Sequence, residues 1–144
     1  MSRFNISKKQ PAVYQRLADF SGAAEEAAKA AGLDPKLVEL VKIRVSQLNG
    51  CAFCLRMHTR DALKLGETSD RLAVLAAWWE SQYFAPAEQA ALALAEQSTR
   101  LTVPEPEVDA SALTDEQIAA VTWLAVVMNA WNRVAIRSGY PVGP

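Results

Sequence analysis

Residues 49–58 read Asn49-Gly50-Cys51-Ala52-Phe53-Cys54-Leu55-Arg56-Met57-His58. The Asn49-Gly50 pair separates two apolar helical segments, because glycine readily adopts the left-handed backbone conformation that ends a helix. So short a connection predicts that the two helices fold back on each other as an antiparallel hairpin. The stretch also holds both cysteines and the single histidine of the 144-residue chain, so the same turn places its most reactive side chains.

Helix signals continue on both sides of this hairpin, and no segment alternates polar and apolar residues long enough to predict a strand. Asp34 as N-cap and Pro35 at the first helical position start the helix before the turn. A capping box between Thr114 and Gln117 opens the last helix. The predicted helices cover residues 12–32, 35–48, 51–65, 70–80, 86–100 and 115–138, and a short helix starts near Glu105 in the connector of residues 102–109. We therefore predict an all-α chain of about six helices, forming one domain over residues 1–144, with the C-x-x-C pair at the start of a central helix.

The composition fits a packed protein without a charged binding surface. Apolar residues make up 51% and charged residues 22% of the chain, and its formal net charge is −1. Such a balance offers no basic patch for nucleic acid or for an anionic membrane, so neither partner is expected. Residues 1–10 lack the apolar core of a signal peptide, so a cytoplasmic location is expected. In that compartment a C-x-x-C pair is more typical of redox or metal chemistry than of a permanent disulfide.

The last predicted helix is unusually apolar. Residues 118–131 include only Thr122 and Asn129 as polar residues, and Arg133 follows too soon for a bilayer span of ~20 residues. A helix that is apolar on all sides is buried on all sides. It is therefore expected to be a central core helix or one that also lies under a subunit interface. Together with four tryptophans in the chain, it predicts a homo-oligomer.

The spacing of the cysteines and the histidine places them together. Cys51, Cys54 and His58 are separated by three and four residues, so they share one face of a helix. At the start of that helix, unpaired backbone N–H groups and the helix dipole favour a thiolate. The pair can close a disulfide, and an imidazole one turn beyond Cys54 can accept a thiol proton near neutral pH.

Glu39 lies on the preceding helix, about as far from the turn as His58 does. The two side chains can therefore meet across the hairpin, where a carboxylate would orient the imidazole. Simpler interpretations remain for each residue: an ion pair between Glu39 and Lys42, a core histidine, and a structural cysteine pair. Cys51, Cys54, His58 and Glu39 could also supply one zinc ligand set, although this spacing is uncommon in structural zinc sites. We expect no metal and no cofactor.

Haem attachment is a further alternative for the cysteine pair. It needs a histidine directly after the second cysteine, and Leu55 occupies that position.

On these residues the chain resembles the alkylhydroperoxidase D and carboxymuconolactone decarboxylase-like family. The shared pattern is a glutamate, eleven residues, Cys-x-x-Cys, three residues and a histidine, and here it comprises Glu39, Cys51, Cys54 and His58. Residues 37–51 resemble the core helix and turn of the family. Residues 75–78 and 129–133 resemble its later signature stretches.

The resemblance implies an all-helical homo-trimer or homo-hexamer that reduces hydrogen peroxide or organic hydroperoxides with its two thiols. It implies that Cys54 is the peroxidatic thiol, Cys51 the resolving thiol, and Glu39 and His58 the proton relay. A lipoyl-, thioredoxin- or glutaredoxin-like dithiol would be the reductant. The second histidine of alkylhydroperoxidase D is replaced by Phe53, which implies a shorter relay. The decarboxylase branch lacks the cysteine pair, so decarboxylation is not expected. The alternative is a disulfide reductase or a redox-sensing oligomer with little peroxidase activity.

Overall fold

The computed structural model describes residues 4–101 and 108–144. Within these residues there are seven α-helices and one 3₁₀ helix, and no strand, which confirms the predicted all-α fold class. The elements are α1 (Ile6–Lys9), α2 (Pro11–Ala30), α3 (Pro35–Asn49), α4 (Ala52–Lys64), α5 (Ser69–Val74), the 3₁₀ helix (Leu75–Glu80), α6 (Pro86–Arg100) and α7 (Asp115–Ser138).

The predicted helix ends have the expected hydrogen bonds. The Asp34 side chain accepts the Lys36 backbone N–H at 2.8 Å, and so caps α3. Thr114 and Gln117 form the predicted capping box of α7. These local contacts satisfy N–H groups that have no partner inside a helix, which is why they could be predicted from sequence.

Two parts of the predicted helix pattern are wrong. The helix expected over residues 70–80 is divided into α5 and the 3₁₀ helix, because the backbone at Ala77 leaves helical geometry with φ −130° and ψ 39°. This break accompanies the inward turn of Trp78, whose Nε1–H donates to Glu96 Oε1 at 2.9 Å, while Trp79 remains exposed. The short helix α1 was not expected, and it begins where the Asn5 side chain accepts the Lys8 N–H. The helix predicted near Glu105 lies outside the described residues.

Helix α7 packs against α1, α2, α3, α4 and α6. Its buried face includes Val121, Leu124 and Met128, but Trp123 is 52% and Val126 is 42% exposed on the opposite face. The expectation of burial on all sides is therefore right for one face only. Among the described helices, α7 alone is long and apolar enough to cross a membrane, a test that core helices also pass, and 44% of its most apolar window is buried.

The turn between α3 and α4 is attached to α7 by side-chain amides. Gly50 adopts φ 68°, in the left-handed region, as the sequence predicts. Asn49 Nδ2 donates to Asn129 Oδ1 and to Asn132 Oδ1, both at 2.9 Å. The buried Asn132 in turn donates to Ser46 Oγ at 3.0 Å. These bonds hold the turn, and with it the start of α4, against the core helix.

Candidate functional site

The two cysteines form a disulfide at the N-terminus of α4. Their Cα atoms are 5.4 Å apart, within the range that a disulfide spans. Cys51 is the N-cap residue and not the first helical residue, and its Sγ accepts the Cys54 backbone N–H at 3.3 Å. Cys51 is 1% and Cys54 is 2% exposed, so a reagent must enter a cavity to reach either sulfur.

His58 and Glu39 meet across the α3–α4 hairpin. His58 Nδ1 lies 2.8 Å from Glu39 Oε2, and both residues are buried. The sequence predicted that Glu39 and His58 would meet because they lie about equally far from the Asn49-Gly50 turn, and the structure shows this contact. A carboxylate only accepts hydrogen bonds, so Nδ1 carries the proton of this contact and Nε2 is the nitrogen left to exchange a proton with a substrate or thiol.

Lys42 contacts the same carboxylate. Its Nζ donates to Glu39 Oε1 at 3.1 Å and also binds Glu25 from α2. The Glu39–Lys42 ion pair, which the sequence offered as a simpler role for Glu39, is therefore present together with the Glu39–His58 contact. Burial alone would raise the pKa of Glu39, but the His58 hydrogen bond and the Lys42 charge outweigh it and hold the pKa below its usual value. Burial opposes the charge of Lys42 too, yet Glu39 and Glu25 raise its pKa.

A cavity of about 390 Å³ opens beside Cys54 and His58. One part of its wall is polar and carries Glu25 and Lys42. The rest is apolar and comes mainly from α4 and α7, including Met57, Met128 and Trp131. The sequence did not predict these wall residues as site residues, because their spacing along α7 is that of any core helix.

Phe53 and Tyr140 form another part of the cavity wall. Their rings meet edge to face, with centroids 5.0 Å apart and planes at 71°. The Tyr140 hydroxyl is within 2.7 Å of Ser7 Oγ, which connects the residue after α7 to α1. Tyr140 lies far along the chain from the cysteine pair, and the sequence carried no signal for its position.

A metal interpretation of the site is weaker than a proton-relay interpretation. Ligand atoms of Glu39, His58 and Asp61 lie within 4.8 Å of one another. However, both oxygens of Glu39 already accept hydrogen bonds, one of them from the ammonium of Lys42, which would repel a cation. In the disulfide form, Cys51 and Cys54 have no thiolate to offer to zinc.

Comparisons with known proteins identify relatives of this chain. A model of the carboxymuconolactone decarboxylase family matches residues 11–97. The uncharacterized protein YdfG of Bacillus subtilis (strain 168) is 39% identical over 122 residues, which cover 80% of this chain and 82% of YdfG. The uncharacterized protein YnjA of Escherichia coli (strain K12) is 31% identical over 99 residues, 69% of this chain and 52% of YnjA.

A solved structure extends the similarity to the fold. The crystal structure of a protein of unknown function from Agrobacterium tumefaciens, described as a candidate antioxidant defence protein AhpD, matches with a TM-score of 0.82. The two sequences are 29% identical, and the match covers 99% of this chain and 100% of the Agrobacterium chain. A cysteine pair that closes a disulfide within an AhpD-like fold fits an antioxidant role. The family expected from the glutamate, cysteine and histidine pattern is thus confirmed, and this chain belongs to the carboxymuconolactone decarboxylase family.

Proposed function

We propose that the protein is a thiol-dependent peroxidase that reduces hydrogen peroxide or organic hydroperoxides. One observation carries the proposal. Cys54, which closes a disulfide with Cys51, lines the same cavity as His58, and His58 is held by an ionised carboxylate. A nucleophile, a base and a group that orients the base are the parts that nucleophilic catalysis requires.

The reaction needs two chemical steps on the protein. In the reduced protein, the Cys54 thiolate attacks one peroxide oxygen, the O–O bond breaks, and the alcohol or water leaves with a proton. Cys54 is then a sulfenic acid, and the Cys51 thiolate attacks its sulfur to form the disulfide and release water. His58 accepts the Cys54 thiol proton on Nε2 and returns it to the leaving oxygen. A dithiol donor supplies the two electrons that restore both thiols.

The charges around His58 support its role as the base. Glu25 and Glu39 carry two negative charges, and Lys42 carries one positive charge. When His58 takes a proton during the reaction, the charges of the four groups sum to zero, and the Glu39 carboxylate, 2.8 Å from the ring, is the counter-charge of the imidazolium. Glu39 acts through His58, as a positioning residue.

Phe53 favours a second candidate function. It places an apolar ring where alkylhydroperoxidase D has a histidine, so proton delivery to a leaving oxygen depends on His58 alone. A protein with the same dithiol cycle and slow peroxide turnover would act as a disulfide reductase or a redox sensor. Both candidates fit a cytoplasmic protein, because that compartment supplies reducing dithiols.

The test is peroxide consumption with a dithiol donor. Hydrogen peroxide and cumene hydroperoxide are each supplied with dithiothreitol, dihydrolipoamide, thioredoxin or glutaredoxin, the last two with their NADPH-dependent reducing systems. We expect turnover of at least one peroxide, and none in Cys54→Ser. Fast disulfide reduction without peroxide consumption would favour the second candidate. If Cys54→Ser keeps both peroxide consumption and disulfide reduction, both candidate functions are excluded.

A further inference from the structure

The disulfide lies between two cavities. The cavity of about 390 Å³ reaches Cys54 but not Cys51. A second cavity of about 270 Å³ reaches Cys51 but not Cys54, and Ala52 and Val142 also line it. Phe53 and Tyr140, whose rings meet edge to face, line both cavities, as does Ala135.

The two cavities differ in charge. The Cys54 cavity has Glu25, Lys42 and His58 in its wall. The wall of the Cys51 cavity has no charged side chain among the described residues. Val142, near the end of the chain, lines this cavity, and the next residue, Gly143, accepts a hydrogen bond from Arg56 Nη1 at 2.8 Å outside its wall.

We propose that the Cys51 cavity is the binding site for the reducing thiol, and that the peroxide uses the Cys54 cavity. This inference rests on the proposed function, because it divides the two halves of that reaction between two entrances. Since Cys51 is almost fully buried and the cavity wall is uncharged, the site favours a thiol whose carrier is slender and bears no charged group, and the thiol loses its proton as it attacks.

Attack on Cys51 releases Cys54 on the side of the cavity that contains His58. The donor thiolate bonds to Cys51 Sγ, the Cys51–Cys54 bond breaks, and Cys54 leaves as a thiolate. The leaving Cys54 lies in the first turn of α4, where the helix dipole stabilises a thiolate. The second thiol of the donor then attacks the donor's own bonded sulfur. Cys51 is released as a thiolate that takes up a proton, and the donor leaves as a disulfide.

The experiment measures the two half-reactions separately in the full-length protein. Ala52→Trp places an indole in the wall of the Cys51 cavity, and Val142→Trp does so from a different segment. Arg60→Trp, on the exposed side of α4 and in the wall of neither cavity, is the matched control. Disulfide reduction by dithiothreitol, and thiol oxidation by cumene hydroperoxide, are each followed by alkylation and mass spectrometry. Circular dichroism checks that each variant is folded.

We expect Ala52→Trp to slow reduction by roughly tenfold or more, because exchange depends on access to the attacked sulfur. Val142→Trp should act in the same direction, and oxidation should stay within about twofold of wild type in both. Unchanged reduction in both folded variants would overturn the proposal, as would equal slowing of both half-reactions. If wild-type thiols are not oxidised by peroxide, the proposed function fails, while the reduction rates still decide which entrance the thiol uses.

A comparison of two dithiols tests whether the Cys51 cavity prefers an uncharged donor. Each dithiol's rate of reduction of the protein is divided by its rate of reduction of a small soluble disulfide, which corrects for its intrinsic reactivity. By this ratio dimercaptosuccinate, an anionic dithiol, should be slower than dithiothreitol. An equal normalised rate would contradict the uncharged site.

Discussion

Replacing Glu39 with glutamine tests whether this carboxylate acts through His58. Glu39 accepts the His58 Nδ1–H at 2.8 Å and the Lys42 ammonium at 3.1 Å. A glutamine amide offers one accepting oxygen and one donating nitrogen, so one of these donors would face an N–H group. The charge also changes, because Glu25 alone would balance Lys42, and a protonated His58 would have no counter-charge.

The expected magnitude follows from one hydrogen bond to a charged group. Such a bond contributes about 1.5–3 kcal/mol, and each ~1.4 kcal/mol in an activation barrier changes a rate about tenfold. We therefore expect Glu39→Gln to slow the oxidation of Cys54 near pH 7 by about 10–100-fold. His58→Ala, which removes the general base itself, should slow it by about 10²–10⁴-fold.

The assay is thiol oxidation by excess cumene hydroperoxide in a single turnover, quenched by alkylation. Glu25→Gln is a matched comparison, because it removes a carboxylate from Lys42 without removing the His58 contact, and its loss should be smaller. If folded Glu39→Gln is oxidised within about twofold of the wild-type rate, the relay assigned to Glu39 and His58 is refuted.

The same substitution should alter the pH dependence of stability. The pKa of Glu39 is held below its usual value of 4.5 in the folded protein. Its contribution to stability is therefore complete above pH 4.5 and is lost as the pH falls through the lowered folded-state value. Urea unfolding should find wild type more stable than Glu39→Gln near neutral pH, with the difference shrinking in acid. A difference that stays constant through that range would contradict this assignment.

Three further predictions concern the thiols, the turn and the surface. Cys54→Ser should abolish peroxide consumption, while Cys51→Ser should still form a sulfenic acid at Cys54 that dimedone traps; trapping at Cys51 alone would reverse the roles. Asn132→Leu should lower the free energy of unfolding by about 1–3 kcal/mol in urea titrations, because it leaves polar partners at the turn unsatisfied. If the exposed face of α7 is the oligomer interface, light scattering should find wild type well above the monomer mass of 15.7 kDa, and Trp123→Glu close to it. A monomeric wild type would refute that interface.

The sequence predicted those parts of the site that depend on one helix or on one turn. Cys51, Cys54 and His58 share a face because helical spacing alone determines it. Glu39 could be paired with His58 because a single glycine turn relates their two helices. The distance of each residue from Gly50 then sets the register of the hairpin.

The parts that depend on tertiary packing were not predictable in the same way. Glu25 joins Lys42 because α2 and α3 both pack against α7, and nothing in the local pattern of α2 indicates this contact. Tyr140 reaches Phe53 across 87 positions of sequence. The break at Ala77 also has a distant partner, since the Trp78 indole bonds to Glu96 on α6.

The sequence and the tertiary packing give different information about Phe53. Seen in the sequence alone, it is a departure that removes a histidine from the proton relay of alkylhydroperoxidase D. In the folded chain its ring packs against Tyr140, and Phe53 lines both the cavity of Cys54 and the cavity of Cys51. A histidine there would add a titratable group to the walls of both cavities, and an alanine would remove the ring from both. Both sulfurs are almost fully buried, so under the two-cavity proposal Phe53 would also keep apart the approaches to Cys51 and Cys54. Phe53→Ala should therefore make the two half-reactions compete. A slender, uncharged thioether, which enters the Cys51 cavity but cannot reduce the disulfide, should slow oxidation by peroxide in this variant and should leave the wild-type oxidation rate unchanged. Equal indifference in both proteins would mean that the ring does not divide the cavities in solution.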